Sequence, residues 1–262
     1  MRNPKFQTTI KKAFTLEGIG LHSGAKVSAT VAPAEAGAGV TFNGTRAILS
    51  NVTATKRATT IGNVAMVEHL LSAAAGLGID NLAVIVQGPE IPVLDGSALP
   101  WVEALEKAGI LPLSSLLTPL IIQQPIRLTT QDASLEAFPY DGFEVEFMVD
   151  FKGVGEQKFA YNAEKMSYKA EIAPARTFGY LEEIDALKAQ GLGLGASYDN
   201  ALVLNNSGYV NEPRFPDEPA RHKILDLIGD LALLGRPLKA RLKASRSGHK
   251  LNAELVRRIL QP

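Results

Sequence analysis

His222 and Asp226 stand four residues apart, a spacing that on a helix separates them by about 6 Å along the axis and turns both toward one side. Asp230 continues the row. The same spacing serves an i,i+4 ion pair on a solvated helix face. Here Ile224, Leu225, Leu227, Ile228, Leu231 and Leu234 cover much of the remaining surface of the stretch. A row of His, Asp and Asp on an otherwise apolar helix needs a partner, and a divalent metal is one.

A tetrahedral catalytic zinc takes three nitrogen or oxygen ligands from the protein and keeps one position for water. The chain has no cysteine, which removes thiolate sites, and only four histidines, at 22, 69, 222 and 249. His69 is the candidate third ligand because Glu68 precedes it: neighbouring helical positions lie about 100° apart, so that carboxylate reaches an attacking water without taking a ligand position. Zinc peptidases with H-E-x-x-H use this adjacency, although the second histidine of that motif is missing here. Taken alone, Glu-His on a helix equally describes a surface pair.

His249 follows Ser247-Gly248 where a strand gives way to the last helix. From there it either projects into a cleft or caps the helix at the surface. Arg176-Thr-Phe-Gly179 sets a hydroxyl and an aromatic ring at another strand end. His22, between Gly18, Gly20 and Gly24, reads as structural or peripheral.

The elements that position these residues alternate in two similar series. In the first half, residues 27–31 and 83–86 read as strands, and Val64 to Gly78 as a helix with Val64, Val67, Leu71 and Ala74 on one face. Ser97 caps a second helix from Ala98 to about Lys107. In the second half, Glu144 to Phe151 is a strand and residues 181–190 a short helix stopped by Gly191. A long helix spans about 219–234, residues 238–244 form a strand, and a final helix spans about 251–260. Three prolines between Leu111 and Pro125 mark a linker, at about 113–123. The expectation is an N-terminal α+β domain over 1–112 and a C-terminal one over 124–262, with no sequence repeat strong enough to prove a duplication.

Lysine plus arginine number 27 and aspartate plus glutamate 27, so no basic excess is available for a phosphate backbone, and nucleic acid is not an expected partner. The first 14 residues lack the apolar run of a signal peptide, and the most apolar later stretches are too short or too charged to span a bilayer. Together with the missing cysteines this suggests a cytoplasmic protein without stable membrane insertion, leaving room for transient contact with the inner membrane surface.

Six segments, in order, resemble one family: Val67-Glu-His-Leu70, Gly78-Ile-Asp-Asn-Leu82, Gly88 through Ser97, Ala175-Arg-Thr-Phe-Gly179, His222 through Asp226 with Gly229-Asp230, and Ser247-Gly-His249. Together they are similar to UDP-3-O-acyl-N-acetylglucosamine deacetylase, the committed enzyme of lipid A synthesis. The resemblance implies an α+β fold of two similar halves, each a small mostly antiparallel sheet layered with two helices, the helices packed face to face between the sheets. It implies one Zn2+ per chain on His69, His222 and Asp226, with Glu68 as general base and His249 as the second catalytic group. Thr177 then binds the oxyanion, Phe178 lies beside the sugar, and Lys223 and Asp230 stand near substrate and His249.

The implied substrate is an acylated UDP-amino sugar that loses its N-acetyl group, and the chain is expected to act as a monomer. Two departures bear on that substrate. Phe138 stands before Pro139-Tyr-Asp-Gly-Phe143 where the family carries a basic residue that helps hold the nucleotide phosphates. Residues 181–200, with Leu187, Leu192, Leu194 and Ala196 among glycines, correspond to an insert that lines an acyl passage. The competing readings are a zinc amidohydrolase of the same fold on another acylated substrate, and a metal-free binding or scaffold protein.

Overall fold

The computed structural model describes residues 6–261. Its helices are Glu68–Leu77 (α1), Leu99–Ala108 (α2), Tyr168–Glu171 (α3), Ile184–Ala189 (α4), Glu218–Leu231 (α5) and His249–Leu260 (α6). Among the described residues five sheets form, and the two largest are wired alike. One runs Phe14–Ile19, Lys26–Pro33, Leu82–Gln87, Val40–Phe42, Thr45–Arg46. The other runs Ile126–Thr129, Ser134–Phe138, Leu238–Ser245, Phe143–Phe151, Gly155–Asn162, with Leu120–Ile121 added on Leu238–Ser245.

In each sheet the central strand is the last of its series and lies parallel to one neighbour, Val40–Phe42 or Phe143–Phe151, and antiparallel to the other. It is reached from one helix and left into another, α1 and α2 around Leu82–Gln87, α5 and α6 around Leu238–Ser245. The halves therefore share strand order and direction, a duplication that side-chain pattern alone does not reveal. Alternation explains why each sheet has one buried face: in Leu238–Ser245 the buried Leu238, Ala240, Leu242 and Ala244 alternate with Lys239, Arg241 and Lys243. The helices fill the space between, with α1 packed along α5, α2 beside α1, and α6 beside α5. One continuous apolar core includes residues from both sheets and from these helices.

Three expectations shift. The helix expected from Val64 starts only at Glu68, because Met66 takes a left-handed φ of 62° and Val64 is turned back onto Ile61 by paired backbone hydrogen bonds. The last helix starts at His249, two residues early, so this histidine is the first residue of α6. Residues 110–116 are strand, antiparallel to Phe6–Ile10, so the expected linker begins inside a pairing. In a two-stranded ribbon both strands are edges, where Pro112 is tolerated. Ser97 does hold the start of α2, accepting from the Leu99 N–H at 3.1 Å.

Candidate metal centre and active site

The site lies where α1 crosses α5. Gly229 permits that approach: a Cβ there would stand 2.2 Å from the Glu68 carbonyl oxygen, so any larger residue forces the helices apart. Glu68 and His69, at the start of α1, thereby face His222 and Asp226 of α5, and all four are buried. One ligand atom from each of His69, His222 and Asp226 lies within 4.8 Å of the others. The two imidazole centroids are 5.2 Å apart.

The donor set fits a divalent ion. His222 Nδ1 lies 3.0 Å from the Ala175 carbonyl, which fixes the ring proton there and leaves the Nε2 lone pair facing Asp226 Oδ1 at 3.3 Å. Burial lowers the pKa of His222, more than Asp226 raises it, so the ring carries no second proton to place between those atoms. Burial likewise pushes His69 down, to about 4, with His222 adding to the effect. Burial would raise Asp226, but Lys223 and the surrounding histidines outweigh it and hold its carboxyl well below the usual carboxylate range. Two neutral imidazoles and an ionised carboxylate converging away from water are a cation's environment.

Glu68 and His249 stand beside this trio. One Glu68 oxygen accepts from the Thr59 N–H at 3.0 Å, and the other lies 3.9 Å from His249 Nε2. Burial raises the Glu68 pKa to about 7 against the pull of His249. His249 behaves in the opposite way: burial would lower it, but Asp230, at 2.8 Å from Nδ1, together with Glu68 and Asp226 lifts it to about 10. Asp230 is fully engaged, since it also accepts from the Thr59 hydroxyl at 2.6 Å and from the Asn252 amide at 2.8 Å. The Asn252 carbonyl oxygen in turn accepts from Ser247.

Phe178 reaches the site from the segment that His222 grips through Ala175, and Thr177 precedes it in the chain. The Thr177 N–H donates to the Gly96 carbonyl at 2.7 Å and its carbonyl accepts from Leu202, leaving a half-buried hydroxyl. Gly96 has φ 83°, and a Cβ there would meet the Asn200 carbonyl at 1.9 Å. The Phe178 ring stands edge-on to His222 with centroids 5.8 Å apart, and Lys223 Nζ lies 6.0 Å from the Phe178 centroid while bonded to Asp226. Backbone strain concentrates around these residues. Of five non-glycine residues with positive φ among the described residues, Arg57, Met66 and Arg246 lie two or three positions before Thr59, Glu68 and His249, and Leu94 stands two before Gly96.

Sequence reasoning overlooked Thr59, Asn252 and the Ala175 carbonyl. Asn252 had a signal, being three residues beyond His249 on one helical face; Thr59, in a turn, and a backbone carbonyl had none. His22 stays outside the cluster: its N–H and that of Ser23 donate to Glu90, at 3.1 and 2.7 Å. The segment 181–200 lies at the surface with Leu181 and Leu194 exposed, its glycine turn clipped to the His22 turn by Leu194 and Gly195 N–H donations. Beside His249 opens a groove of about 1010 Å³ lined by Arg57, Arg127, Lys250, Arg257 and Arg258, with Glu254 its one acidic residue. Near Phe138 the Arg127 guanidinium lies 5.6 Å from that ring and pairs with Glu136 at 3.0 Å. Among the described residues no helix is long and apolar enough to cross a membrane.

The profile of the family LpxC, UDP-3-O-acyl N-acetylglycosamine deacetylase, matches residues 7–261. The chain is 40% identical to the UDP-3-O-acyl-N-acetylglucosamine deacetylase of Syntrophotalea carbinolica, over 97% of this chain and 88% of that one. It is 40% identical to the deacetylase of the same name from Thermosynechococcus vestitus, over 97% and 94%, and 39% identical to that of Brucella melitensis biotype 2, over 97% and 95%. Since these matches run through every segment that builds the buried cluster, the chain belongs to the UDP-3-O-acyl N-acetylglycosamine deacetylase family.

Proposed function

We propose that this chain hydrolyses the N-acetyl group of a UDP-3-O-acyl-N-acetylglucosamine with one zinc ion held by His69, His222 and Asp226. Family membership carries the reaction, a deacetylation that yields acetate and a free amine. The observation that carries the residue roles is the convergence of three metal-type donors within 4.8 Å, beside a carboxylate and an imidazole of shifted pKa. Three nitrogen and oxygen donors without thiolate suit a catalytic zinc, which when bound supplies Lewis acidity and lowers the pKa of a water from 15.7 to about 7.

Glu68 is the general base. With its carboxyl near 7 it is about half ionised at neutral pH, and that ionised form is basic enough to take a proton from the attacking water. His249, held as imidazolium by Asp230, offers positive charge to the oxyanion and a proton to the departing sugar nitrogen. The proton that Glu68 gains and the one that His249 gives balance the addition of water across the amide. Thr177 contributes a hydroxyl to the oxyanion, and Phe178 and Lys223 border the sugar. The basic groove beside His249 suits the diphosphate of a nucleotide sugar. The same reading treats 1–112 and 124–262 as two domains, supported by their matching strand orders.

Acetate release from the UDP-sugar with and without its 3-O-acyl chain tests this reading, alongside elemental analysis of protein purified without chelator. Release from the acylated sugar with stoichiometric zinc is expected. Stoichiometric iron would replace the proposed metal, and absence of release from either sugar would transfer the site to another acylated substrate.

A further inference from the structure

The helices that carry the buried cluster also wall a second space, farther along both. Leu71 and Ala74 of α1 and Ile228 and Leu231 of α5 face a cavity of about 310 Å³ that Phe143 and Tyr161 border from the second sheet. This is the small end of the range for small-molecule sites. None of the residues assigned above to the metal or the chemistry lines it.

Its charged groups are few and gathered at the rim: Arg46, Arg236 and Asp80. The Asp80 carboxylate is already engaged by the Thr8 N–H at 2.8 Å. The Arg46 guanidinium lies across Gly39 and extends to within 4.0 Å of where a Gly235 Cβ would stand, directly beside Arg236 in the chain. Neither arginine has an ion-pair partner among the described residues. Two arginines lining one mostly apolar pocket complement an amphipathic anion, whose chain leaves water while its carboxylate accepts from the guanidinium groups.

We propose that this cavity is a binding site for the anion of a medium-chain fatty acid, with the alkyl chain between α1 and α5 and the carboxylate on Arg46 and Arg236. A space of about 310 Å³ is at the small end for small-molecule sites, and decanoate is the medium-chain probe chosen for it.

The test titrates decanoate into the metal-loaded full chain by calorimetry and repeats the titration with decylamine. Two variants accompany it. The double variant R46E/R236E reverses two exposed charges outside the core, and A232F fills the cavity wall; thermal unfolding of each verifies that it is folded. One decanoate per chain is expected, with no binding of decylamine and a loss of about tenfold or more in affinity for R46E/R236E. In A232F binding should disappear. No saturable binding below the micelle-forming range would overturn the site. Equal binding of decylamine, or decanoate affinity unchanged in R46E/R236E, would overturn the carboxylate assignment and move the ligand elsewhere, the metal cluster included. The measurement reads binding rather than turnover, so its outcome is separate from that of the deacetylase reading.

Discussion

Gly229 of α5 lies against the backbone carbonyl of Glu68 at the start of α1, with 2.2 Å between that oxygen and the place a Cβ would occupy. The helix contact that brings His69, His222, Asp226 and Glu68 together thus depends on a missing side chain. G229A is expected to destabilise the protein by about 1–3 kcal/mol, the range for overpacking a filled core, and to weaken metal binding because His222 and Asp226 move away from His69. Urea unfolding and competitive zinc titration measure the two effects. G248A, where the Cβ position is open, is the control for crowding: it should leave zinc affinity unchanged and cost only what Ala costs relative to Gly at a helix N-cap.

Removing the proposed base without removing a proposed ligand separates chemistry from metal binding. E68Q is expected to retain stoichiometric metal and to lose about 10²-fold or more in turnover. Single-turnover acetate release and metal analysis on one preparation check this, and near-normal turnover with metal bound would remove Glu68 from the mechanism.

Asp230 sets the pH range over which His249 is protonated. His249 is raised from its ordinary 6.5 to about 10, so its imidazolium is present throughout the neutral range and is lost as pH rises through the folded value. Replacing Asp230 by Asn keeps a hydrogen-bond acceptor and deletes the charge, which lowers that value. The alkaline limb of kcat/KM against pH should move to lower pH in D230N, while an unshifted limb would dissociate His249 from it. Since Glu68 and His249 interact, each limb belongs to the coupled pair.

Metal should stabilise the fold, because His69 comes from α1 and the other two ligands from α5. A ligand at 100 times its Kd adds about 2.7 kcal/mol to the native state. Chelated protein is expected to melt at lower temperature, to regain its Tm with zinc, and to show no such response as D226A. Calorimetric scans with and without zinc provide the comparison.

N252A tests a residue that only the geometry singles out. Its amide donates to Asp230 at 2.8 Å, so deleting it leaves a buried carboxylate short of a donor, at a cost of about 1–3 kcal/mol. A drop in denaturant midpoint with metal content unchanged is the expected result; loss of metal would mean that the Asp230 network also holds the ligands.

What the sequence determined by itself is what local periodicity encodes. The His222-Asp226-Asp230 row is legible because helical spacing follows from covalent geometry, and the apolar residues around it mark the row as buried. The adjacency of Glu68 and His69 is legible for the same reason, and the alternation in Leu238–Ser245 identifies a half-buried strand. His249, Thr177 and Phe178 became candidates through the order of six motifs, since nothing in their own neighbourhoods distinguishes a catalytic group from a capping or strand-end residue. Only the tertiary structure decided that residues 68–69, 222–230 and 249 share one buried volume, because that depends on how closely two helices from different sheets pack, and Gly229 sets that distance. It also decided the proton positions: the tautomer of His222 follows from a backbone carbonyl 47 residues earlier in the chain, and the charge on His249 from a carboxylate that Thr59 and Asn252 hold in place. Such long-range pairings leave no period in the sequence, because contact between distant segments is created by packing.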